Sequence, residues 1–149
     1  MTLSIDTSLL VAAERGHSEA IAIFREWDAK GWVGFVSSVA LSEWLVGVEA
    51  VRDDAKRAKA RRFYDTYLST LPVHPLTEED AIVYGQSIGR LRAKGTTVDF
   101  ADGLIGCQAL RYGVPVATYN VRHFAQIPGL EVVSPNEKAP DDDVEGQKD

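Results

Sequence analysis

Thr2-Leu3-Ser4-Ile5-Asp6-Thr7-Ser8-Leu9-Leu10 is the stretch on which the reading of the fold turns. Leu3 to Asp6 is an apolar run of strand length that ends on an acid, and a helix can begin directly behind it at Thr7 or Ser8. A carboxylate at the end of an apolar strand is costly to desolvate unless a metal, a cation or several backbone donors satisfy it. Asp6 therefore either caps the following helix, a role aspartate favours, or belongs to a charged site at the strand end. Both readings stay open on this stretch alone. The same acid interrupts the apolar N-terminus, which does not read as a signal peptide.

Outward from this stretch, short strand-like runs alternate with longer helical ones, the pattern of a parallel sheet with helices on its faces. A helix is expected from about Ser18 to Lys30, with Ala20, Ile23, Phe24 and Trp27 at spacings of three and four. Trp32 to Ser37 reads as the second strand. Ser37 or Ser38 can cap the next helix, which carries Val39, Leu45 and Val46 towards Gly47, and another helix spans about Asp53 to Leu71. Val73 to Leu76 is a third strand, followed by Thr77 as cap with an acid three positions later and a helix to about Lys94. After Gly95 a helix from about Phe100 to Tyr112 ends at Gly113. Val114 to Thr118 and Leu130 to Val133 read as the last strands, joined by a loop that holds Phe124 and the turn at Pro128-Gly129.

Ligands in such sheets bind beyond the carboxyl ends of the strands. Asp6, Glu43, the Asp99/Asp102 pair and Thr118 to Asn120 all fall at that edge and should converge. Glu43 shares its helix side with Val39, Val46 and Gly47, which argues for an inward-facing acid, with a surface glutamate as the alternative. Asp99 and Asp102 are three apart near a helix start, where acids are also common for dipole reasons alone; Asp99 reads as the cap. Gly103 and Gly106 would let this helix approach the sheet closely. Several acids at one edge repel each other, and a hard divalent cation with oxygen ligands is the usual compensation. Magnesium or manganese is therefore implied, and phosphodiester hydrolysis is the chemistry such a cation supports.

Composition agrees with one domain: 149 residues, 45% hydrophobic and 26% charged, can bury a single sizeable core. Cys107 is alone, and His17, His74 and His123 are scattered, so neither a disulfide framework nor a zinc site is expected. No run is long enough to span a membrane, and a reducing cytoplasm fits best. The net charge of -6 divides into -4 for the tail from Pro135 to Asp149 and -2 for residues 1–134. The tail, with Val144 as its one aliphatic residue larger than alanine, reads as a disordered appendage to a body of nearly balanced charge.

Taken in order, Asp6-Thr-Ser-Leu-Leu, Ser37-Ser-Val-Ala-Leu-Ser-Glu43, Gly95-x-x-Val-x-x-x-Asp102-Gly-Leu-Ile and Pro115-Val-Ala-Thr-Tyr-Asn120, with Phe124 and Ile127-Pro-Gly-Leu130, resemble the VapC-type PIN-domain toxins over residues 2–134. The resemblance implies a three-layer α/β sandwich with a central parallel sheet and endonucleolytic cleavage of RNA with magnesium or manganese. It also implies neutralisation by a VapB-like antitoxin and homodimerisation. Carried over by position, Asp6, Glu43 and Asp102 are the catalytic and metal-binding acids, with Asp99 as a further ligand. Thr7, Ser8, Thr118 and Asn120 would support them. The sequence departs from the family at His123, where many relatives carry an acid, so a fourth carboxylate is missing unless Asp99 supplies it. His123 itself reads as an exposed loop histidine.

Arg52, Lys56, Arg57, Lys59, Arg61 and Arg62 form a basic stretch, of which Arg57, Arg61 and Arg62 are the candidates for RNA contact; a merely solvated helix face is the competing reading. Trp32, Trp44 and Tyr119 could stack on bases, although aromatics at such spacings usually belong to a core. Two rival functions are a phosphatase of the haloacid-dehalogenase type and a catalytically silent module of the same fold. The phosphatase needs a second acid two residues after the first, and Ser8 stands there.

Overall fold

The computed structural model describes residues 1–135; the acidic tail beyond Pro135 lies outside the described residues. The chain alternates as expected. Strand β1 (Thr2–Ile5) leads into α1 (Thr7–Glu14) and α2 (Ser18–Ala29), then β2 (Val33–Ser37), α3 (Ser38–Glu49) and α4 (Asp54–Thr66). A short 3-10 turn at Leu68–Thr70 precedes β3 (Val73–His74), α5 (Glu78–Ala93), α6 (Phe100–Tyr112), β4 (Val116–Ala117), α7 (Val121–Ala125) and β5 (Val132–Val133). The last three strands are shorter than their apolar runs suggested. Helix α7 replaces the expected loop around Phe124.

Helix starts follow local side-chain chemistry. Ser37 accepts from the Val39 amide, Asp53 from Lys56 and Asp99 from Asp102, each satisfying an amide that the helix itself cannot. Thr77 and Asp80 form a reciprocal capping box. At the other end of α6, Gly113 takes φ +69°, a left-handed conformation that costs glycine little and stops the helix there.

All five strands are parallel, in the order β3-β2-β1-β4-β5. Leaving β1, the chain builds outward to β2 and β3, then crosses back to lay β4 against the other side of β1. Strand order therefore reverses between β1 and β4, which opens a crevice at their carboxyl ends. Leu3, Ile5, Leu9, Leu10, Ile105 and Val116 are nearly or fully buried around this junction, so the polar residues following β1 and β4 sit at the edge of a rigid core.

Gly103 and Gly106 serve a different approach from the one expected. A Cβ on Gly103 would stand 2.8 Å from Tyr84 and one on Gly106 2.5 Å from Ile127. They let α6 meet α5 and the segment after α7 rather than the sheet. The close approach to the sheet is at Gly34, where a Cβ would stand 2.5 Å from Ile5. A buried polar joint also locks α5 to α6: Asp80, 1% exposed, pairs with Arg111 and accepts from Gln108 and from the Thr77 amide.

Candidate active site

Asp6 sits at the junction of β1 and α1, and the two roles proposed for it coincide. It is the N-cap of α1, accepting from the Ser8 amide at 3.4 Å. Its side chain is nevertheless buried, with the residue 2% exposed, and it forms no ion pair with lysine or arginine among the described residues. Two hydroxyls hold it: Ser8 Oγ and Thr118 Oγ1 each donate to Oδ2 at 2.8 Å. Ser8 Oγ also accepts from the Tyr119 amide at 3.1 Å, and Thr118 Oγ1 accepts from the Asn120 amide at 2.9 Å. The end of β4 is thus stitched to the end of β1 through Asp6. One carboxylate oxygen is fixed in direction while Oδ1 receives none of these bonds.

The other acids arrive from separate elements. Glu43, midway along α3, accepts from Thr7 Oγ1 at 2.9 Å, tying α3 to the first turn of α1. Its pKa is raised, first by partial burial, against the lowering effect of the Thr7 bond, and then by the charges of Asp6, Asp102 and Asp99. Asp102, in the first turn of α6, is raised by burial first; the His123 bond lowers it, and Asp6 and Asp99 raise it further. Asp99 caps α6 at the exposed rim. Glu43 thus feels the charges of the other three acids, and Asp102 those of Asp6 and Asp99. Among the described residues no three of them close into a ready ligand set, and mutual repulsion is the physical reason like charges stand apart.

Two expectations are corrected here. Glu43 does not face the core: the inward stripe of α3 is Ala40, Trp44 and Val48, whereas Val46 is 70% exposed. Glu43 lies on the open edge, and its environment comes from the neighbouring acids. His123 lies on α7 rather than a loop, and although its side chain is 57% exposed, its Nδ1 is 2.8 Å from Asp102 Oδ2. Where an acid was missing, an imidazole stands against the site. No local signal in the sequence announces a contact between residues 21 apart. The residues read as candidates for RNA contact lie on α4: Arg57 pairs with Asp54 and donates to the Val51 carbonyl, and Arg61 pairs with Glu49. Arg62 is exposed.

The remaining supporting residues divide by role. Thr7, Ser8 and Thr118 all bond a carboxylate directly, while Asn120 lies at the exposed start of α7 with its amide on Thr118. Trp44 is core, stacked on Tyr64, and Trp32 stacks on Trp27. Tyr119 packs partly buried against the same core.

Fold and site together define a class: a three-layer α/β protein whose doubly wound parallel sheet carries Asp6, Glu43, Asp99, Asp102 and His123 around its reversal point. The PIN domain model matches residues 3–130. Ribonuclease VapC of Rickettsia bellii is 32% identical over 134 residues, covering 90% of this chain and 96% of its own length. Ribonuclease VapC1 of Rickettsia felis is 33% identical, covering 93% and 99%. Among solved structures, VapBC2 from Rickettsia felis bound to a promoter DNA fragment superposes with a TM-score of 0.80 at 25% identity, over 90% of this chain and 98% of that one. The chain belongs to the PIN domain family, among its VapC-type members.

Proposed function

We propose that the chain is an endoribonuclease dependent on magnesium or manganese, and that it acts as the toxin of a toxin-antitoxin pair. The observation that carries this reading is the crevice between β1 and β4, where buried Asp6 has no lysine or arginine partner among the described residues and its charge acts on Glu43 and Asp102. Relatives named ribonuclease VapC support the substrate class.

Asp6, Asp102 and Glu43 would hold the cation, with Asp99 at the rim. When bound, such a cation lowers the pKa of a coordinated water and offsets charge on a phosphate under in-line attack. The protein's own share is orientation. Ser8 and Thr118 fix Asp6 Oδ2, Thr7 fixes Glu43, and His123 fixes Asp102 Oδ2, so three carboxylates from three elements are aimed before substrate arrives. The test is Asp6→Asn, followed by manganese titration calorimetry and by cleavage of a labelled single-stranded RNA. Loss of both, with the fold intact by circular dichroism, is the expected result. Wild-type manganese affinity in that variant would remove Asp6 from the ligand set, and metal binding without cleavage by the wild type would favour a silent module. A phosphatase is disfavoured because Ser8 serves as a donor to Asp6 where that mechanism needs an acid.

The pairing with a VapB-like antitoxin belongs to the same proposal. An apolar groove of about 570 Å³ runs among α1, α2 and α4, past Leu10, Ile21, Phe24 and Phe63, and would receive an amphipathic segment of such a partner. Exposed Leu45 and Val46 on α3 and Phe100 on α6 offer apolar surface for a homodimer, to be checked by sedimentation. Residues 1–134 are proposed as the nuclease unit. No helix among the described residues is long and apolar enough to cross a membrane.

A further inference from the structure

Behind the carboxylates lies a second cleft, of about 560 Å³, whose near wall is Glu43 itself. It runs between α1, α3 and α4. Its floor is apolar, with Val11, Val48 and Val51, and its rim carries Arg15 from the end of α1 and Lys56 and Lys59 from α4. The two lysines are three apart and so share one side of the helix. None of these three cations forms an ion pair among the described residues, in contrast to Arg57 and Arg61, which are held by Asp54 and Glu49. Glu14 is the one acid besides Glu43 on the lining. Glu43 therefore stands at one end of the cleft, and the three cations, with Glu14 beside Arg15, lie along the rest.

We propose that this cleft seats the RNA strand adjoining the bond to be cut, with Lys56, Lys59 and Arg15 contacting its backbone phosphates. The inference rests on the ribonuclease reading above and adds where the substrate lies. A strand with one phosphate at the acids and the next ones in the cleft leaving Glu43 would meet Lys56, Lys59 and Arg15 there. The apolar floor accepts sugar and base without hydrogen-bond readout, so this contact is indifferent to sequence. An acidic protein segment would satisfy the same cations but has no reason to begin at the carboxylates.

The experiment uses the full chain and a fluorescein-labelled oligouridylate, with binding read by anisotropy in chelator over a salt series and cleavage read separately in magnesium. Lys56→Gln combined with Lys59→Gln is expected to weaken binding by about an order of magnitude at low salt. The same pair should flatten the slope of log K against log salt by about 1.4, since each phosphate contact on a single strand contributes roughly 0.7. In cleavage, KM should rise while kcat holds, and Lys→Arg at both positions should restore both readouts. Arg61→Gln, which removes a cation already paired, should change affinity less than twofold and leave the slope alone. Manganese affinity in the double variant should match wild type. If the wild type cleaves RNA and the double variant keeps the full slope and KM, the cleft is not the substrate path, and the proposal falls while the ribonuclease reading stands. If the wild type neither binds nor cleaves, both fall together.

Discussion

Glu43 and Asp102 hold their protons more tightly than ordinary carboxyl groups, chiefly because burial penalises the charged form and further because the acids face one another. For a carboxyl whose folded pKa is raised, the folded state binds the proton more strongly than the unfolded one. Stability is then lost as pH rises from the ordinary carboxylate value through the raised one. Glu43→Gln removes the charge and keeps an oxygen to accept from Thr7, so the metal-free variant should melt a few degrees above wild type at neutral pH. The gap should close in acid, where Glu43 is protonated in both states; thermal melts at the two pH values check this. Thr118 acts one step further out. Thr118→Val deletes the hydroxyl that donates to Asp6, and loss of such an outer contact typically costs about 10–100-fold in metal affinity or activity. Calorimetry with manganese decides the matter, and unchanged affinity would show that Ser8 suffices to aim Asp6.

At the scale of elements, α6 is the piece on which the site depends, because it delivers Asp102 while packing closely against α5 and the segment after α7. Gly106→Ala would press a methyl into Ile127, Leu130 and Phe124, and such overpacking is expected to cost about 1–3 kcal/mol in urea unfolding. The α5–α6 joint at Asp80 makes a second prediction. Burial pushes its pKa up, but the bonds from Arg111, Thr77 and Gln108 outweigh that and leave it lowered. A lowered carboxyl contributes stability that is present above the unfolded pKa and disappears as pH falls through the folded one. Asp80→Asn should therefore destabilise the protein by about 2 kcal/mol at neutral pH, the worth of hydrogen bonds to a charged group. That difference should shrink as the solution is made strongly acidic, as it does at Glu43, but with the opposite sign: Asp80→Asn is the less stable protein at neutral pH and Glu43→Gln the more stable one.

For the whole molecule, the acids repel one another at the end of the sheet, and the cation proposed to sit there would relieve that repulsion. Mass action then links metal to stability: a ligand at about 100 times its Kd adds roughly 2.7 kcal/mol when it binds only the folded state. Saturating manganese should raise the melting temperature of wild type, chelator should return it to the starting value, and Asp6→Asn should show little response to either. An equal response in that variant would place the cation elsewhere.

Much of this was legible before any coordinates, because it is local. Strand and helix alternation, the caps at Ser37, Thr77 and Asp99 and the stop at Gly113 all follow from spacings within a few residues. The tertiary structure decided what lies across the chain. The reversal of strand order between β1 and β4 brings Thr118 to Asp6 over 112 positions, and α7 brings His123 to Asp102. The same packing turned Glu43 to the open edge, set Arg61 on α4 against Glu49 at the end of α3, and left Lys56 and Lys59 facing the cleft. Periodicity reports which side of an element is apolar, but not which element will cover it. A side chain's partner, and with it its charge state and its availability to a substrate, is fixed only when the layers close.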